Sequence, residues 1–301
     1  MSDTALENKR MHVIRARDGV NIFYESIGSG DKVLLLANGL GGRLYAWQPL
    51  IDEFWKEYRI VTWDYRGLFE SSGPECVSRL SVRDQAEDGL EVLAAEKADR
   101  AVWVGWSMGV QVSLEAAAVR PAAVGGLVLL NGTWGHVFSS AFQPGLRLPF
   151  LPRYMHEVVE WFQGHPEWAA LLARASKATT VATIGLFWLL LGRRALELRP
   201  VLEQYTSDVY RPDNFPNYLR LFQELDAHSA YHHLRSIDAP ALVVSGRWDV
   251  VTPAYQSREI ARRLRNATHL HITNGSHFVL VERPKPVLAA IRKFLETRAQ
   301  M

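Results

Sequence analysis

The chain has 301 residues, of which 48% are hydrophobic and 22% are charged, and its single cysteine, Cys76, excludes an intrachain disulfide. Its 34 basic and 32 acidic side chains give a formal charge of +2 without long runs of one sign, which argues against nucleic acid as a partner. No run reaches the roughly 18 apolar residues of a transmembrane segment, and the first residues lack the apolar core of a signal peptide. We therefore expect a cytoplasmic protein that acts on a small molecule, with its oligomeric state left open.

Apolar runs of strand length alternate with longer helical patterns over most of the chain. The predicted strands span residues 11–17, 20–25, 32–37, 59–63, 101–104, 126–130, 241–245 and 268–272. The predicted helices span residues 44–55, 81–97, 110–120, 254–265 and 286–297, with Ser81 and Asp84 at the start of the second and Pro286 in the first turn of the last. This pattern predicts an α/β fold, in which helices cover both faces of a mostly parallel eight-stranded sheet.

The alternation stops between residues 134 and 233, where the sequence becomes helical and rich in aromatic residues. We predict that residues 134–233 form a helical cap inserted into a core made of residues 1–133 and 234–301. The most apolar stretch of the cap, residues 181–191, is too short to span a bilayer. It contains Phe187 and Trp188, which we predict to line a substrate pocket; packing as cap interior and contact with a membrane surface are the alternatives.

The pentapeptide Gly105-Trp106-Ser107-Met108-Gly109 joins a predicted strand to a predicted helix. That context is typical of a nucleophile elbow, a sharp strand-to-helix turn that exposes a serine in a strained backbone conformation. Glycine at the flanking positions lets strand and helix approach each other without a clash, and the helix N-terminus favours developing negative charge. Ser107 is therefore the predicted nucleophile, and its neighbour Trp106 is a predicted pocket residue.

A serine hydroxyl needs a base within hydrogen-bonding reach and a third group that orients the base. His277 follows the strand 268–272 through a short loop, at the carboxyl end of the strand, where open sheets bind their ligands. Asp249 follows the strand 241–245 in the same way. The order Ser107, Asp249, His277 matches the chain order of nucleophile, acid and base in one known triad architecture, and the sequence predicts this catalytic triad.

Together these segments resemble the α/β-hydrolase fold family over nearly the whole chain outside the cap. The matching segments are Ala37-Asn38-Gly39-Leu40-Gly41-Gly42, Trp63-Asp64-Tyr65-Arg66-Gly67, the elbow around Ser107, Ser245-Gly246-Arg247-Trp248-Asp249 and Gly275-Ser276-His277-Phe278. The resemblance implies that the backbone N–H groups of Leu40 and Met108 form the oxyanion hole. It also implies a structural role for Asp64, which with Arg66 would tie down the loop after the fourth strand.

The sequence departs from the family pattern at two loops. Asn38 stands where many members have histidine. Asparagine at this position is also found in members that look like enol-lactonases and in some esterases. The segment Gly67-Leu68-Phe69-Glu70-Ser71 replaces a common Gly-His-Gly-x-Ser and is bulkier, which would narrow the mouth of the pocket. Because Ser107 occupies the position of the aspartate that attacks haloalkanes or epoxides in some relatives, that carboxylate chemistry is excluded here.

These observations predict a cofactor-independent serine hydrolase that cleaves a carboxylic ester, lactone or thioester, with an apolar acyl or aryl group favoured by the aromatic cap. Two alternatives use the same fold: a cofactor-free perhydrolase or haloperoxidase-like oxidoreductase, in which peroxide replaces water, and a non-catalytic ligand receptor. His228, His232 and His233 cluster near the end of the cap. Their spacing does not bring a third ligand to one face, so we predict no metal site.

Overall fold

The computed structural model describes residues 5, 7–141, 150–165, 167–168, 171, 185, 198–211 and 213–300. Its strands are β1 Lys9–Arg15, β2 Asn21–Ile27, β3 Val33–Ala37, β4 Arg59–Trp63, β5 Ala101–Trp106, β6 Val124–Leu130, β7 Ala241–Gly246 and β8 Ala267–Ile272. They form one eight-stranded sheet in the order β1-β2-β4-β3-β5-β6-β7-β8. Pairing is antiparallel between β1 and β2 and between β2 and β4, and parallel in the other pairs. The predicted fold class is therefore confirmed.

Helices follow the strands along the described parts of the chain. They are α1 Gln48–Phe54, α2 Val82–Ala95, α3 Met108–Val119, α4 Val137–Ser140, α5 Leu151–Gly164, α6 Arg199–Val209, α7 Phe215–Ala227, α8 Ala254–Arg263, α9 Val279–Glu282 and α10 Pro284–Thr297. Among the described residues, no helix combines the length and the apolar character needed to cross a membrane.

Strand β3 shows why the central strands are apolar along their whole length. Leu34 and Leu36 pack on one face of the sheet in an apolar cluster with α1, α9 and α10. Val33 and Leu35 pack on the other face, in a second cluster with α2, α3 and α8. Because successive side chains of a strand point to opposite faces, a strand covered on both sides must be apolar at every position.

Local features of the sequence explain where three of the helices begin. Ser81 and Asp84 form the expected capping box at the start of α2: the Ser81 side chain accepts from the Asp84 N–H, and the Asp84 carboxylate accepts from the Ser81 N–H. Helix α3 begins at Met108, two residues before the predicted start, because the sharp turn at Ser107 ends the strand and leads directly into the helix; the Ser107 side chain itself makes no capping hydrogen bond. Helix α10 also begins earlier than predicted: Pro284, rather than Pro286, is its first residue, where the missing N–H costs nothing.

The helices α4 to α7 lie between β6 and β7, in the segment where the sequence predicts the insertion. Val159, Val209, Phe215 and Leu219 form a small apolar cluster of their own among α5, α6 and α7. The two ends of the segment meet where the Ala230 N–H donates to the Trp134 carbonyl at 2.8 Å. A division into core and cap at these ends remains our proposal. The predicted pocket residues Phe187 and Trp188 lie outside the described residues.

Candidate active site

Ser107 lies in a sharp turn between β5 and α3, with a φ of +56° and a ψ of −116°. Few non-glycine residues adopt a positive φ, and such strain is concentrated at functional sites. The flanking glycines are required by close approach: a Cβ on Gly105 would meet the Gly109 carbonyl, and a Cβ on Gly109 would meet the backbone carbonyl of Ala37. The turn therefore has the geometry expected of a nucleophile elbow.

The structure brings Ser107, His277 and Asp249 together in one hydrogen-bonded chain. His277 Nε2 lies 3.0 Å from Ser107 Oγ, and His277 Nδ1 lies 2.9 Å and 3.1 Å from the two carboxylate oxygens of Asp249. All three side chains are buried. An Nδ1–H that donates to Asp249 leaves Nε2 free to accept the serine proton, which is the tautomer that a general base needs here.

Asp249 is held by several donors besides His277. Its Oδ1 accepts the backbone N–H groups of Val251 at 3.0 Å and Thr252 at 2.8 Å. Its Oδ2 accepts from Asn131 Nδ2 at 2.7 Å, and the Thr252 hydroxyl lies 2.9 Å from the same oxygen. Both carboxylate oxygens are thereby oriented, so the Asp249 carboxylate has one defined direction toward the histidine.

Asn131 and Thr252 are site residues that our sequence reasoning missed. Asn131 follows β6 at the carboxyl edge of the sheet with a φ of +45°, and its Nδ2 also donates to the Ser276 carbonyl at 2.5 Å. It therefore ties the acid to the residue just before His277. The sequence signal that could have identified Asn131 is its position directly after β6. Polar residues that follow a buried parallel strand mark the edge where open sheets bind ligands.

Two other buried carboxylates, those of Glu282 and Asp226, have partners of their own and form no hydrogen bond with His277. Glu282 accepts from the backbone N–H of Ser276 at 2.5 Å and from its hydroxyl at 2.8 Å. Asp226 accepts from the Phe138 N–H at 2.7 Å and lies 3.0 Å from His156 Nε2. Of the described carboxylates, Asp249 is the one hydrogen-bonded to His277.

The segment Gly39–Gly42 forms a tight turn beside the elbow. The Gly42 N–H donates to the Gly39 carbonyl at 2.8 Å, and Gly41 has a φ of +74°, as the third residue of a type II turn requires. Within the described residues, neither the Leu40 N–H nor the Met108 N–H donates a hydrogen bond to a protein acceptor. Neither N–H group is therefore taken up by a protein acceptor there, and their role in an oxyanion hole stays a prediction.

Asn38 stands where many members of the resembling family have histidine. Its side-chain nitrogen, its side-chain oxygen and its main-chain carbonyl all form hydrogen bonds. Its Nδ2 donates to the Thr62 hydroxyl at 3.1 Å and to the Trp63 carbonyl at 2.9 Å, and its Oδ1 accepts from Trp47 Nε1 at 2.7 Å. Its own carbonyl accepts from the Tyr65 hydroxyl at 2.6 Å. The asparagine thus anchors the start of the Gly39–Gly42 turn in the core.

Trp106 is buried beneath the same turn. A Cβ on Gly39 or Gly42 would come within 2.7 to 2.8 Å of its ring, so these glycines leave the space that the indole fills. Its Nε1 donates to the His277 carbonyl at 2.9 Å. These contacts indicate support for the turn and for the histidine loop. A role for Trp106 in the substrate pocket stays a prediction.

The loop after β4 is held by two ion-pair clusters. Arg43 binds the Asp64 carboxylate at 3.1 Å, and Arg66 binds Asp88 at 2.5 Å and Asp18 at 2.7 Å. Burial raises the pKa of Asp64 to about 6, and the neighbouring Arg43 guanidinium opposes that rise. These contacts fit the structural role that the resemblance implies for Asp64 and Arg66.

The bulky stretch after Gly67 is tied to the proposed cap. Asn214 Oδ1 accepts the Phe69 N–H at 2.7 Å, and Asn217 Nδ2 donates to the Gly67 carbonyl at 2.9 Å.

At the other end of α7, His228 Nε2 and His233 Nε2 each lie 3.5 Å from Glu115 Oε2. Over the residues that the structure describes, no group of three or more histidine, cysteine, aspartate or glutamate side chains is arranged to hold a metal ion.

Comparison with known proteins finds relatives along most of the chain. A putative carbamate hydrolase RutD of Rhizobium rhizogenes is 27% identical over 275 residues, which cover 90% of this chain and 95% of the relative. A putative non-heme bromoperoxidase BpoC of Mycobacterium tuberculosis is 28% identical over 292 residues, covering 91% and 97%. Among solved structures, Est816, described as an N-acyl homoserine lactone degrading enzyme, is 26% identical with a TM-score of 0.71, covering 94% of this chain and 99% of that chain. The family model for the alpha/beta hydrolase fold matches residues 32–284, so the chain belongs to the alpha/beta hydrolase fold family, and its enzyme class is that of a hydrolase.

Proposed function

We propose that this protein is a cofactor-independent serine hydrolase that cleaves a carboxylic ester, lactone or thioester through an acyl-enzyme on Ser107. The observation that carries the proposal is the continuous chain from Ser107 Oγ to His277 Nε2 at 3.0 Å and from His277 Nδ1 to Asp249 at 2.9 Å. A serine hydroxyl in hydrogen-bonding reach of an oriented imidazole is the arrangement that acyl transfer requires.

Acylation begins when His277 Nε2 takes the Ser107 proton as the oxygen attacks the acyl carbon. The N–H groups of Leu40 and Met108 stabilise the resulting oxyanion; removing one such donor costs about 10²- to 10³-fold in kcat in measured cases. The carbon–oxygen or carbon–sulfur bond to the leaving group then breaks, and the imidazolium gives its proton to that group. Asp249 stabilises the imidazolium throughout.

Deacylation repeats these chemical steps with water as the nucleophile. His277 removes a proton from water, the hydroxyl attacks the acyl carbon, and the Ser107 oxygen leaves with the proton that the imidazolium returns. The products are the free acid and the intact enzyme. Besides the substrate and water, no group outside the chain is needed to balance either step, in keeping with a reaction that uses no cofactor.

Esters and lactones are the substrates we favour. The 26% identity to Est816, whose description is that of an N-acyl homoserine lactone degrading enzyme, supports a lactone with an apolar acyl chain. The relative described as a putative non-heme bromoperoxidase supports testing peroxide as well. In that second candidate function, hydrogen peroxide replaces water at the acyl-enzyme and the product is a peracid.

Turnover of a panel of esters, lactones and thioesters, each with and without hydrogen peroxide, tests the proposal. The Ser107→Ala variant should lose turnover of every substrate that the wild type cleaves. Ser113→Ala is the matched control: its buried hydroxyl lies on the same helix and donates to the Gly109 carbonyl at 2.7 Å. Peracid formation that outpaces hydrolysis would favour the perhydrolase, and folded wild-type protein that binds substrates without turnover would favour the receptor.

A further inference from the structure

The Gly39–Gly42 turn, which carries the Leu40 N–H, is held from the side of the proposed cap. The Tyr205 hydroxyl, on α6, donates to the Leu40 carbonyl at 2.9 Å. The Tyr218 hydroxyl, on α7, lies 3.0 Å from the Tyr205 hydroxyl. A hydroxyl has one proton to donate. Because the Tyr205 hydroxyl uses its proton on the Leu40 carbonyl, the Tyr218 hydroxyl must be the donor to Tyr205. The three groups form a chain of hydrogen bonds that runs from Tyr218 through Tyr205 to Leu40, which we call the relay.

The same helices pack closely on the turn. A Cβ added to Gly41 would lie 2.6 Å from Val209, 3.0 Å from the Tyr218 ring and 3.3 Å from the Tyr205 ring. Only a glycine with this positive φ lets α6 and α7 come so near the backbone. Burial raises the pKa of Tyr218 to about 12 and that of Tyr205 well above its ordinary value, so both hydroxyls remain protonated near neutral pH.

The relay acts on the peptide that decides the turn type. The two peptide planes that flank Leu40 determine its φ and ψ. The first plane is held by the Gly42 N–H bonded to the Gly39 carbonyl, and in a trans peptide this directs the Leu40 N–H away from the turn interior. The second plane flips between type I and type II turns; by binding its carbonyl, Tyr205 keeps the turn type II and ties the turn to α6.

We infer that Tyr205 and Tyr218 are positioning residues that hold the Leu40 N–H in place for the oxyanion, so that the proposed cap contributes to the chemistry as well as to substrate choice. The inference rests on the proposed function for its catalytic consequence. Without the Tyr205 hydroxyl the Leu40 carbonyl loses its partner on α6. The turn as a whole, including the Gly39–Leu40 peptide that carries the N–H, is then held less firmly, and the N–H is correctly placed for only part of the time.

The test compares Tyr205→Phe, Tyr218→Phe and the double variant, which remove the hydroxyls and keep the rings that pack on Gly41. Tyr154→Phe, at an exposed position on α5, is the matched control. We expect Tyr205→Phe to lower kcat about tenfold with little change in KM, less than the 10²- to 10³-fold seen when an oxyanion donor is removed altogether. Tyr154→Phe should leave both constants unchanged.

The double variant separates a relay from general packing. If Tyr218 acts through Tyr205, adding Tyr218→Phe to Tyr205→Phe should cost nothing further, whereas independent effects would multiply. A kcat within twofold of wild type in Tyr205→Phe, or single effects that multiply in the double variant, would overturn the inference.

Amide hydrogen exchange of residues 39–42 in the same proteins provides a readout that needs no turnover. Faster exchange at these residues in Tyr205→Phe, but not in Tyr154→Phe, is the expected result, and equal exchange in both overturns the inference. Absence of wild-type turnover on the whole substrate panel would refute the proposed function instead, and the exchange measurement would still decide whether the tyrosines hold the turn.

Discussion

Replacing Asp249 with asparagine changes one carboxylate oxygen into an NH₂ group, and the donors around the side chain determine where that group must go. Oδ1 accepts two backbone N–H groups, those of Val251 and Thr252. An NH₂ placed there would face two donors. At Oδ2 the NH₂ would face one fixed donor, Asn131 Nδ2, because the Thr252 hydroxyl can donate to the Asn131 carbonyl at 2.8 Å instead. The amide nitrogen of Asp249→Asn therefore takes the Oδ2 position, 2.9 Å from His277 Nδ1.

In that orientation the new amide donates to Nδ1, so the imidazole keeps its proton on Nε2, the atom that must accept from Ser107. The variant therefore stabilises the wrong tautomer and cannot stabilise the imidazolium. We expect kcat to fall by about 10⁴-fold with a much smaller change in KM, the size of effect known for this substitution in a serine triad.

The assay is steady-state hydrolysis of the best ester or lactone by wild type, Asp249→Asn and Asp226→Asn, with circular dichroism to verify the fold. Asp226→Asn makes the same one-atom change at a buried carboxylate that does not contact His277. It should retain wild-type kcat. The reasoning is refuted if folded Asp249→Asn keeps kcat within tenfold of wild type, or if Asp226→Asn shows the larger loss.

Three further predictions concern the supports of the site. Asn131→Ala should lower kcat about tenfold, because the carboxylate of Asp249 loses one charge-assisted hydrogen bond but keeps its backbone donors; unchanged kinetics would contradict this. Gly109→Ala should lower the free energy of unfolding by about 1–3 kcal/mol in denaturant titrations, while Gly164→Ala, whose Cβ has no neighbour within 4 Å, should be neutral. The raised pKa of Asp64, about 6, means that the folded protein binds the proton more tightly, so stability falls as pH rises from about 4 to 6. The free-energy difference between wild type and Asp64→Asn should fall over that range, and a flat or rising difference would contradict the assignment.

The sheet was predictable because its residues carry a local signal. Strands buried on both faces are apolar at every position, as β3 and β5 are, so runs of strand length were visible without knowledge of their partners. The strand ends in the structure differ from the predicted ends by at most two residues. Helix starts shifted where local backbone geometry, which leaves no periodic pattern, decides them: α3 begins directly after the sharp turn at Ser107.

The predicted triad residues were visible from chain order and from their places after strands. Their supports were not visible in this way. Asn131 contacts Asp249 across 118 residues of sequence, and Tyr205 contacts Leu40 across 165 residues. No periodic pattern in the sequence links such pairs. Their proximity follows from the order of the strands in the sheet and from the packing of α6 and α7 on the Gly39–Gly42 turn. Trp106, the neighbour of the proposed nucleophile, illustrates the same limit: its position next to Ser107 did not reveal that its ring lies under the Gly39–Gly42 turn.

Trapping of the acyl-enzyme tests the central claim most directly. Wild-type protein, mixed with a chromogenic ester that it turns over and quenched with acid within one turnover, should gain the mass of one acyl group. Fragmentation of the peptide that carries Ser107 and Ser113 should place this mass on Ser107, and the Ser107→Ala variant should gain none. Turnover without an adduct, or an adduct on another residue that persists in Ser107→Ala, would contradict the account.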